Sequence, residues 1–322
     1  MADRAFRAAV VGVGSIGRNH ARILAALPDV ELVGIVDVDQ ARARAVAADV
    51  GAPVVDDVRA IEPSVDGCVV AVPTADHCAV AAPLLESGVA VLVEKPIAAS
   101  LAEADRLLDA ARLSGATLAV GHTERHNPAV AAALPHISAP RFIEVHRLSV
   151  FQPRSLDVDV ILDLMIHDID IALAMVGEEP ASIEAVGVPV LSSRIDIANV
   201  RLRFPDGCIA NMTASRISRD RVRKLRVFQP HALVSVDYAE RQVEAVTVSR
   251  PADGDPAIKV RHVDFPDAEP LERELTDFVR SARTGEAPGV TGADGRRALA
   301  VAQRIAEALR AGSATVSVGV RA

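Results

Sequence analysis

A glycine-rich turn near the amino terminus, GVGSIG at residues 12–17, limits the possible folds more than any other stretch of this chain. It ends a valine-rich apolar run at residues 7–13 and opens a helical pattern at residues 15–27. The first glycine permits a tight turn, the second leaves the backbone open to a ligand phosphate, and the third lets the helix pack closely on the strand. The motif therefore predicts a strand, a turn and a helix whose amino end faces a ligand.

Asp37 completes a dinucleotide-binding pattern. It follows a second apolar strand at residues 31–36 and stands 20 residues after Gly17. A carboxylate at this position accepts hydrogen bonds from both hydroxyls of an adenosine ribose. Asp37 and Asp39 would repel a 2′-phosphate, and no arginine follows immediately to bind one, so the sequence predicts NAD rather than NADP. The predicted cofactor-binding residues of this half are Gly12, Gly14, Ser15, Ile16, Gly17 and Asp37.

Strands and helices alternate through the rest of the first 122 residues. The strands are uniformly apolar, as expected when helices cover both faces of a parallel sheet. Further strands are predicted at 67–72, 90–93 and 117–120, and further helices at 40–49, 76–87 and 100–114, the last opened by a capping box of Ser100 and Glu103. Residues 1–122 are therefore predicted to form a Rossmann-type, doubly wound NAD-binding domain.

Three loops follow strands of this predicted sheet, and ligands of such sheets bind beyond the carboxyl ends of the strands. The loops are VPTADH (72–77), VEKPI (93–97) and GHTERHNP (121–128). Burial of Lys95 beside a cofactor would make its ammonium a strong hydrogen-bond donor, and the alternative is a solvated lysine paired with Glu94. The other candidate cofactor contacts are Pro73, Thr74, His77, Glu94 and Arg125, and Asn127 is a candidate substrate contact. The alternative for Pro73, Thr74, His77, Arg125 and Asn127 is a role in loop structure alone.

From Pro140 onward the pattern changes to short strands separated by turns, including a hairpin turn at Pro205-Asp206-Gly207. Strands are predicted at 141–152, 181–191, 196–204, 208–216, 221–229 and 232–237, with a short one at 314–318. Residues 123–322 are thus predicted to form an α+β domain for substrate binding and oligomerisation. Its mostly antiparallel, open-faced sheet would leave one face for a partner subunit of a homo-oligomer. Helices at 271–284 and 294–310 are expected to pack back on the first domain.

The stretch DVDVILDLMIHDIDI at 157–171 carries the candidate catalytic groups. Wound as a helix, it places Asp163, His167 and Asp170 at positions i, i+4 and i+7, on one face. A carboxylate one turn from an imidazole fixes the orientation of the ring and stabilises the imidazolium that forms when the ring accepts a proton. The alternative is that His167 is a core histidine, satisfied within an apolar helix.

A strongly basic stretch runs from Arg216 to Arg226. A guanidinium can bind a phosphate through two hydrogen bonds, so Arg216, and Arg154 just before the candidate catalytic helix, are candidate contacts for a diphosphate. Alternation along a strand sends half of these side chains away from any one site, which favours the alternative of a solvated hairpin or a subunit contact.

Net charge and cysteine spacing argue against several classes of function. The formal net charge of −8 leaves no excess of Lys and Arg to neutralise nucleic acid or an anionic membrane. The first residues, MADRAFRAAVVGVG, run directly into a strand, so we expect no signal peptide, no membrane insertion and a cytoplasmic location. Cys68, Cys78 and Cys208 lack a ligand spacing, and no metal site is predicted.

Taken together, GVGSIG, EKP at 94–96, GHTERHNP and the Asp163/His167 pair resemble motifs of the superfamily of glucose-fructose oxidoreductase, inositol dehydrogenase and related sugar dehydrogenases. The resemblance extends over essentially the whole chain. It implies that Lys95 lies beside the nicotinamide and the reacting hydroxyl, that Asp163 and His167 are the catalytic pair, and that the loop at 73–77 contacts the cofactor. His126 departs from the family pattern, in which an aromatic residue is more common.

A narrower resemblance covers GHTERHNP, DVDVILDLMIHDID and NMTASRIS at 211–218, which look like the UDP-N-acetylglucosamine 3-dehydrogenase branch that supplies a 3-amino sugar for lipid A biosynthesis. It implies NAD-dependent oxidation of the 3-hydroxyl of the UDP-sugar to a ketone, which a PLP-dependent aminotransferase would consume. The alternatives are another sugar, an inositol or a UDP-N-acetylhexosamine uronic acid as substrate, or a non-catalytic NAD-binding sensor or regulator. A sensor would not need the proton acceptor His167.

Overall fold

The computed structural model describes residues 4–61, 64–151, 158–249 and 255–315, with side chains as far as residue 311. The chain folds into two compact units. The first contains the residues up to His126 together with Ala268–Leu299, and the second contains Asn127–Asp267 together with the residues from Ala300 onward. Within the described residues, no helix is both long enough and apolar enough to cross a membrane.

The sheet of the first unit has five parallel strands in the order β2-β1-β3-β4-β5. They are β1 (Phe6–Val11), β2 (Val30–Val36), β3 (Gly67–Val70), β4 (Ala90–Glu94) and β5 (Leu118–Gly121). Every residue of β3, β4 and β5 is buried, which explains their uniformly apolar sequences. The predicted doubly wound sheet is confirmed.

Four helices connect these strands. They are α1 (Gly17–Ala26), α2 (Gln40–Val50), α3 (His77–Glu86) and α4 (Leu101–Ser114). The capping box predicted for α4 is present, since the Glu103 N–H donates to Ser100 Oγ at 3.2 Å and the Ser100 N–H donates to the Glu103 carboxylate at 3.1 Å. The two bonds satisfy amide groups that the first turn of a helix leaves without partners.

The second unit contains an eight-stranded sheet in the order β13-β12-β11-β10-β6-β9-β8-β7. Its strands are β6 (Phe142–Leu148), β7 (Ser182–Val188), β8 (Ile197–Arg203), β9 (Ile209–Ser215), β10 (Val222–Gln229), β11 (Ala232–Asp237), β12 (Gln242–Ser249) and β13 (Ala257–His262). Only the β6–β9 pair is parallel among these described strands, so the predicted mostly antiparallel sheet is confirmed. The β8–β9 hairpin turns at Gly207, whose φ is 87°. Strands β12 and β13 were not predicted.

Two helices of the second unit follow different rules. The short helix α5 (Pro128–Ala133), which the sequence patterns did not predict, begins with a proline at its first position and packs on β11 and β12. The predicted helix near the catalytic candidates is instead a π-helical turn, Ile161–Met165, followed by α6 (Ile166–Val176). Such single π-turns are rare and frequently occur at functional sites.

Two helices close the described chain, α7 (Pro270–Thr284) and α8 (Gly292–Thr315). Helix α7 contributes Leu271, Leu275 and Phe278 to the core of the first unit. The Phe278 ring meets the Phe6 ring edge to face, with centroids 6.4 Å apart and an interplanar angle of 87°. Residues 314 and 315 lie in α8, and the rest of the strand predicted at 314–318 lies outside the described residues.

The substitution Gly67→Ala tests this core. A Cβ at Gly67 would lie 2.7 Å from Cζ of Phe6 and 3.1 Å from Cζ of Phe278, so the two rings must move. We expect the variant to lose about 1–3 kcal/mol of unfolding free energy, as overpacked cores do, measured by denaturant unfolding. Gly14→Ala is the control, because only the Arg42 side chain, at 3.7 Å, lies near its added Cβ. Equal stability of Gly67→Ala and the unmodified protein would contradict this packing.

Candidate active site

Two glycines of the amino-terminal turn are required by the fold itself. Gly12 has a φ of 84°, and a Cβ there would lie 2.7 Å from the carbonyl carbon of Ala71. A Cβ on Gly17 would overlap the carbonyl oxygen of Gly12, since α1 begins directly against the turn. Any side chain at either position would push α1 away from the ends of β1 and β3.

Gly14 is different, because its protein neighbours leave room for a Cβ. The residues beside it, Ser15 and Ile16, are exposed, and the first turn of α1 has neither a side-chain cap nor an acidic residue. The amino end of a helix left open in this way attracts a phosphate through its N–H groups and its dipole. This cradle fits the pyrophosphate of a dinucleotide, and Gly14 would give it space.

Asp37 lies at the end of β2 and is nearly buried. Its Oδ2 accepts the Val13 N–H and its Oδ1 accepts the Asp39 N–H, both at 2.8 Å. These bonds tie the carboxylate to the glycine turn, and each oxygen retains a second lone pair for a ribose hydroxyl. The sequence analysis missed Arg42. This residue lies in the first turn of α2, where its Nη2 is 3.1 Å from Asp39 Oδ2 and its Nη1 is 3.8 Å from Asp37 Oδ2.

The loop at 72–77 is organised by His77. The ring is buried, with Nδ1 2.9 Å from the Pro96 carbonyl oxygen and Nε2 3.0 Å from the Val72 carbonyl oxygen. Burial lowers the pKa of His77 more than these carbonyls raise it, so the neutral ring donates to one oxygen at a time. His77 joins two ligand loops, and its nitrogens face the protein. Pro73 is exposed, and Thr74 is half-buried in a 3₁₀ turn.

Lys95 follows the last residue of β4 and is half-buried. The preceding Glu94 accepts the Lys95 N–H through Oε2 at 3.1 Å, and its Oε1 lies 2.7 Å from Nε2 of the buried His20. Burial would raise the pKa of Glu94, but the hydrogen bond and charge of His20 and the charge of Lys95 together lower it. Glu94 was predicted as a cofactor contact, and the structure shows its carboxylate engaged with His20 and the Lys95 amide.

The loop at 121–128 contains several polar groups that brace it. In the first unit, Arg125 Nη2 lies 4.0 Å from Asp294 Oδ1, and His122 is buried. In the second unit, Asn127 Oδ1 accepts the Ala129 N–H at 3.0 Å and so caps α5. Arg125 and Asn127 therefore both have structural contacts, as the alternative interpretation of this loop expected.

Asp163 and His167 are half-buried in the second unit. Asp163 lies within the π-turn, and His167 is the second residue of α6. The predicted spacing of Asp163 and His167 assumed an α-helix. Part of the π-turn lies between these two residues and changes the angle between their side chains around the helix axis. Neighbouring Asp168 has another role, because Arg147 donates to its two oxygens from Nε and Nη2, both at 2.7 Å, in a buried bidentate ion pair.

A recess of about 170 Å³ lies in the second unit beside Asp163. It is lined by Ser149, Val150, Asp163, Leu164, Arg216, Arg221 and Arg223. Arg216 is buried, donates a hydrogen bond to the Val158 carbonyl oxygen and has its Nε 3.7 Å from Asp196 Oδ1. Its charge is therefore largely compensated by groups of the protein. Arg221 is exposed. The other predicted diphosphate contact, Arg154, lies outside the described residues.

Two family profiles match the chain. The profile described as "Oxidoreductase family, NAD-binding Rossmann fold" matches residues 6–122, and the profile of the "GFO/IDH/MocA C-terminal domain" matches residues 139–232. The two matches cover the unit that carries the glycine turn and Lys95, and the part of the second unit that carries Asp163 and His167.

Relatives match over nearly the full length. A UDP-N-acetylglucosamine 3-dehydrogenase of Acidithiobacillus ferrooxidans is 36% identical over 311 residues, which are 95% of this chain and 97% of the relative. A solved structure of the enzyme of that name from the same organism matches with a TM-score of 0.90 and 35% identity, over 96% of this chain and 99% of that one. A myo-inositol 2-dehydrogenase of Thermotoga maritima is 27% identical over 91% of this chain and 93% of its own.

Identity of this extent, together with a glycine turn and an Asp37 carboxylate whose positions fit a dinucleotide, assigns both the cofactor and the class of enzyme. The cofactor is NAD. The chain belongs to the Gfo/Idh/MocA family of NAD-dependent oxidoreductases.

Proposed function

We propose that this enzyme oxidises the 3-hydroxyl of UDP-N-acetylglucosamine to a ketone, with NAD as the hydride acceptor. The observation that carries the proposal is the 36% identity, over 95% of the chain, to a UDP-N-acetylglucosamine 3-dehydrogenase. Inositol 2-dehydrogenases are also relatives, at lower identity. The charged side chains of the second unit help to decide between these two substrates, because inositol carries no phosphate and a UDP-sugar carries two.

Arg221 supports the sugar nucleotide. It lines the recess beside Asp163, is exposed, and has no ion pair with any residue in the described part of the chain. A guanidinium without an ion-pair partner among the described residues is suited to bind a diphosphate through two parallel hydrogen bonds. We assign the diphosphate contact to Arg221, while Arg216, paired with Asp196, shapes the wall of the recess.

The proposed reaction divides the chemistry among three side chains. Bound NAD supplies the acceptor for the hydride that leaves the sugar carbon. His167 accepts the hydroxyl proton, and Asp163 holds the imidazole in orientation and stabilises its charged form. Lys95 donates a hydrogen bond to the sugar oxygen, on which negative charge develops as the proton leaves. The glycine turn and Asp37 hold the dinucleotide, so these residues carry binding rather than proton transfer.

The chemistry of the product suggests the next step. A 3-keto sugar nucleotide is an electrophile that a PLP-dependent aminotransferase can convert to the 3-amine. Since oxidation of an alcohol by NAD is unfavourable at neutral pH, removal of the ketone would draw the reaction forward. We therefore propose an aminotransferase as the partner enzyme.

The cofactor preference is testable at Asp37. We expect NAD to bind the unmodified enzyme at least about tenfold more tightly than NADP, because the carboxylate repels a 2′-phosphate at short range. Asp37→Ala should narrow this gap, since Arg42, 3.8 Å away, is then released to meet the phosphate. Affinities are measured by titration, with Asp49→Ala on the exposed face of α2 as a control of equal charge change. Equal affinity of the unmodified enzyme for both dinucleotides would contradict the role of Asp37.

Substitutions of His167 and Lys95 distinguish a catalytic role from a role in folding. His167→Asn and Lys95→Met should each lower turnover by about two to four orders of magnitude, the range for losing a group that transfers a proton or stabilises charge. NAD affinity and the thermal midpoint should change little. The controls are His262→Asn and Lys259→Met, on exposed positions of β13. An unfolded His167→Asn variant whose soluble fraction stays active would instead identify His167 as a core residue.

The substrate is tested by NADH formation with UDP-N-acetylglucosamine, its uronic acid and free inositol, each with and without an aminotransferase and glutamate. UDP alone should inhibit, and free N-acetylglucosamine should scarcely react, because remote binding energy positions the 3-hydroxyl. Arg221→Ala should raise KM for the sugar nucleotide about tenfold or more, as expected for a lost charge-assisted contact, while Arg219→Ala, exposed on the same loop between β9 and β10 but outside the recess, should not.

Two results would redirect the assignment. If NADH forms with the uronic acid only, the substrate is the uronic acid and not UDP-N-acetylglucosamine. Activity on inositol without inhibition by UDP would exclude a sugar nucleotide.

A further inference from the structure

Three ionisable side chains from separate elements meet inside the first unit. They are His20 on α1, Glu94 at the end of β4 and Glu274 on α7, and one polar atom of each lies within 4.8 Å of the others. Their exposed fractions are 0%, 8% and 2%. Two carboxyl groups this deeply buried and this close together resist ionising together, because each negative charge disfavours the other unless a cation compensates it.

The ionised member of the pair is Glu94. Its carboxylate has the His20 ring at 2.7 Å and the Lys95 N–H at 3.1 Å, and it packs against Gly121, where a Cβ would lie 3.1 Å from its carboxyl carbon. The missing side chain at Gly121, the strand neighbour of Glu94, leaves space for this carboxylate. Glu94 thus has partners that stabilise its charge.

Glu274 has less to stabilise a negative charge. Neither of its oxygens has a hydrogen bond of good geometry with a described residue, although the Thr123 side chain approaches closely enough to favour the charged form. Burial raises the pKa of Glu274 well above its usual value, and the charges of Glu94 and Asp277 raise it further. Burial and the two neighbouring carboxylates therefore favour the protonated form of Glu274.

A metal ion is the other way to hold these three groups, and the distances disfavour it. Two ligands on one tetrahedral zinc ion, at bond lengths near 2.0–2.2 Å, stand about 3.3 Å apart or more. His20 Nε2 and Glu94 Oε1 are 2.7 Å apart, the length of a charge-assisted hydrogen bond. A proton fits the group better than a metal.

We propose that His20, Glu94 and Glu274 form a buried cluster in which Glu94 is ionised and Glu274 keeps its proton, and that the Glu94 carboxylate orients Lys95 and keeps its amine protonated. For catalysis the inference rests on the proposed function, in which Lys95 donates to the sugar oxygen. His20 and Glu94 are positioning residues, since they act through Lys95. His20 and Gly121 fix the Glu94 carboxylate, and that carboxylate holds the Lys95 backbone and attracts its ammonium.

Glu274 limits the arrangement at high pH. The ionisable groups that face it are Glu94 on β4, His20 on α1 and Asp277 on its own helix, with Lys95 next to Glu94. A carboxyl whose pKa is raised in the folded state adds stability at acidic pH, and this stability is lost as the pH rises from the unfolded value through the folded one. Ionised Glu274 would place a second negative charge beside Glu94.

The first test follows thermal stability with pH and needs no substrate. The thermal midpoint of the unmodified enzyme, relative to that of Glu274→Gln, should fall steadily as the pH rises from about 5 to about 9, because the amide cannot ionise. Glu272→Gln, exposed on the same helix, should keep a constant offset. Parallel curves for Glu274→Gln and the unmodified enzyme would exclude a buried proton. A stoichiometric divalent metal found by elemental analysis, together with a midpoint lowered by EDTA, would establish a metal site instead.

The second test measures the charge state of Lys95 directly. The rate at which an acylating reagent labels Lys95 is followed against pH by mass spectrometry, with the exposed Lys259 as an internal reference. In Glu94→Gln the labelling of Lys95 should reach half its maximum at a lower pH, because the carboxylate that favours the ammonium is gone. An unchanged profile for Lys95 would overturn the proposed role of Glu94.

Turnover then connects the cluster to the reaction. Glu94→Gln should lower kcat about tenfold to a hundredfold with KM for NAD nearly unchanged, since a displaced catalytic group costs rate rather than cofactor binding. Glu274→Gln should keep kcat near that of the unmodified enzyme at neutral pH, and Glu86→Gln, at an exposed position of α3, is the charge control. An unaltered kcat in Glu94→Gln would remove the catalytic part of the inference. If no sugar reduces NAD, the proposed function fails, while the stability and labelling tests still decide the cluster.

Discussion

The close approach of α1 to the glycine turn is the contact on which the rest of the first unit's site depends. Because no side chain fits between Gly12 and Gly17, the first turn of the helix rests on the turn that ends β1. The same turn lies against Ala71, just after β3. Three residues into α1, His20 then reaches Glu94 at the end of β4. One steric constraint thus fixes the position of the amino end of α1. It also places His20 beside Glu94, the residue that precedes Lys95.

The two units bury their ionisable groups in different ways. In the second unit two buried acids meet arginines, Asp168 in a bidentate pair with Arg147 and Asp196 with Arg216 at 3.7 Å. Three backbone N–H groups further compensate Asp196, so that its pKa falls to about 2 although burial alone would raise it. In the first unit Glu274 meets a second carboxylate. Permanent ion pairs respond little to pH near neutrality, whereas two neighbouring acids must bind a proton.

Much of the fold was predictable because its signals are local. The glycine spacing, the capping box at Ser100 and the apolar runs each specify a few consecutive residues, and a parallel sheet buried on both faces needs little more. Short and exposed elements give a weaker signal. Strand β13 alternates Ile258 and Val260 with Lys259 and Arg261, but it is only six residues long and exposed along its whole length, and α5 has only six residues, too few to show a helical period.

The sequence by itself determined the dinucleotide motif, the carboxylate at Asp37, the lysine at a strand end and the spacing of Asp163 and His167. Each of these depends on residues within one element or at the end of one strand. Tertiary structure decided that Arg42 turns back to Asp37, that His77 faces two carbonyl oxygens and that a π-turn carries Asp163. It also joined His20, Glu94 and Glu274, which lie far apart in the chain. A local pattern fixes which side of a helix or strand a residue occupies, but the packing of separate elements fixes which charges share a buried space, and that packing sets their protonation.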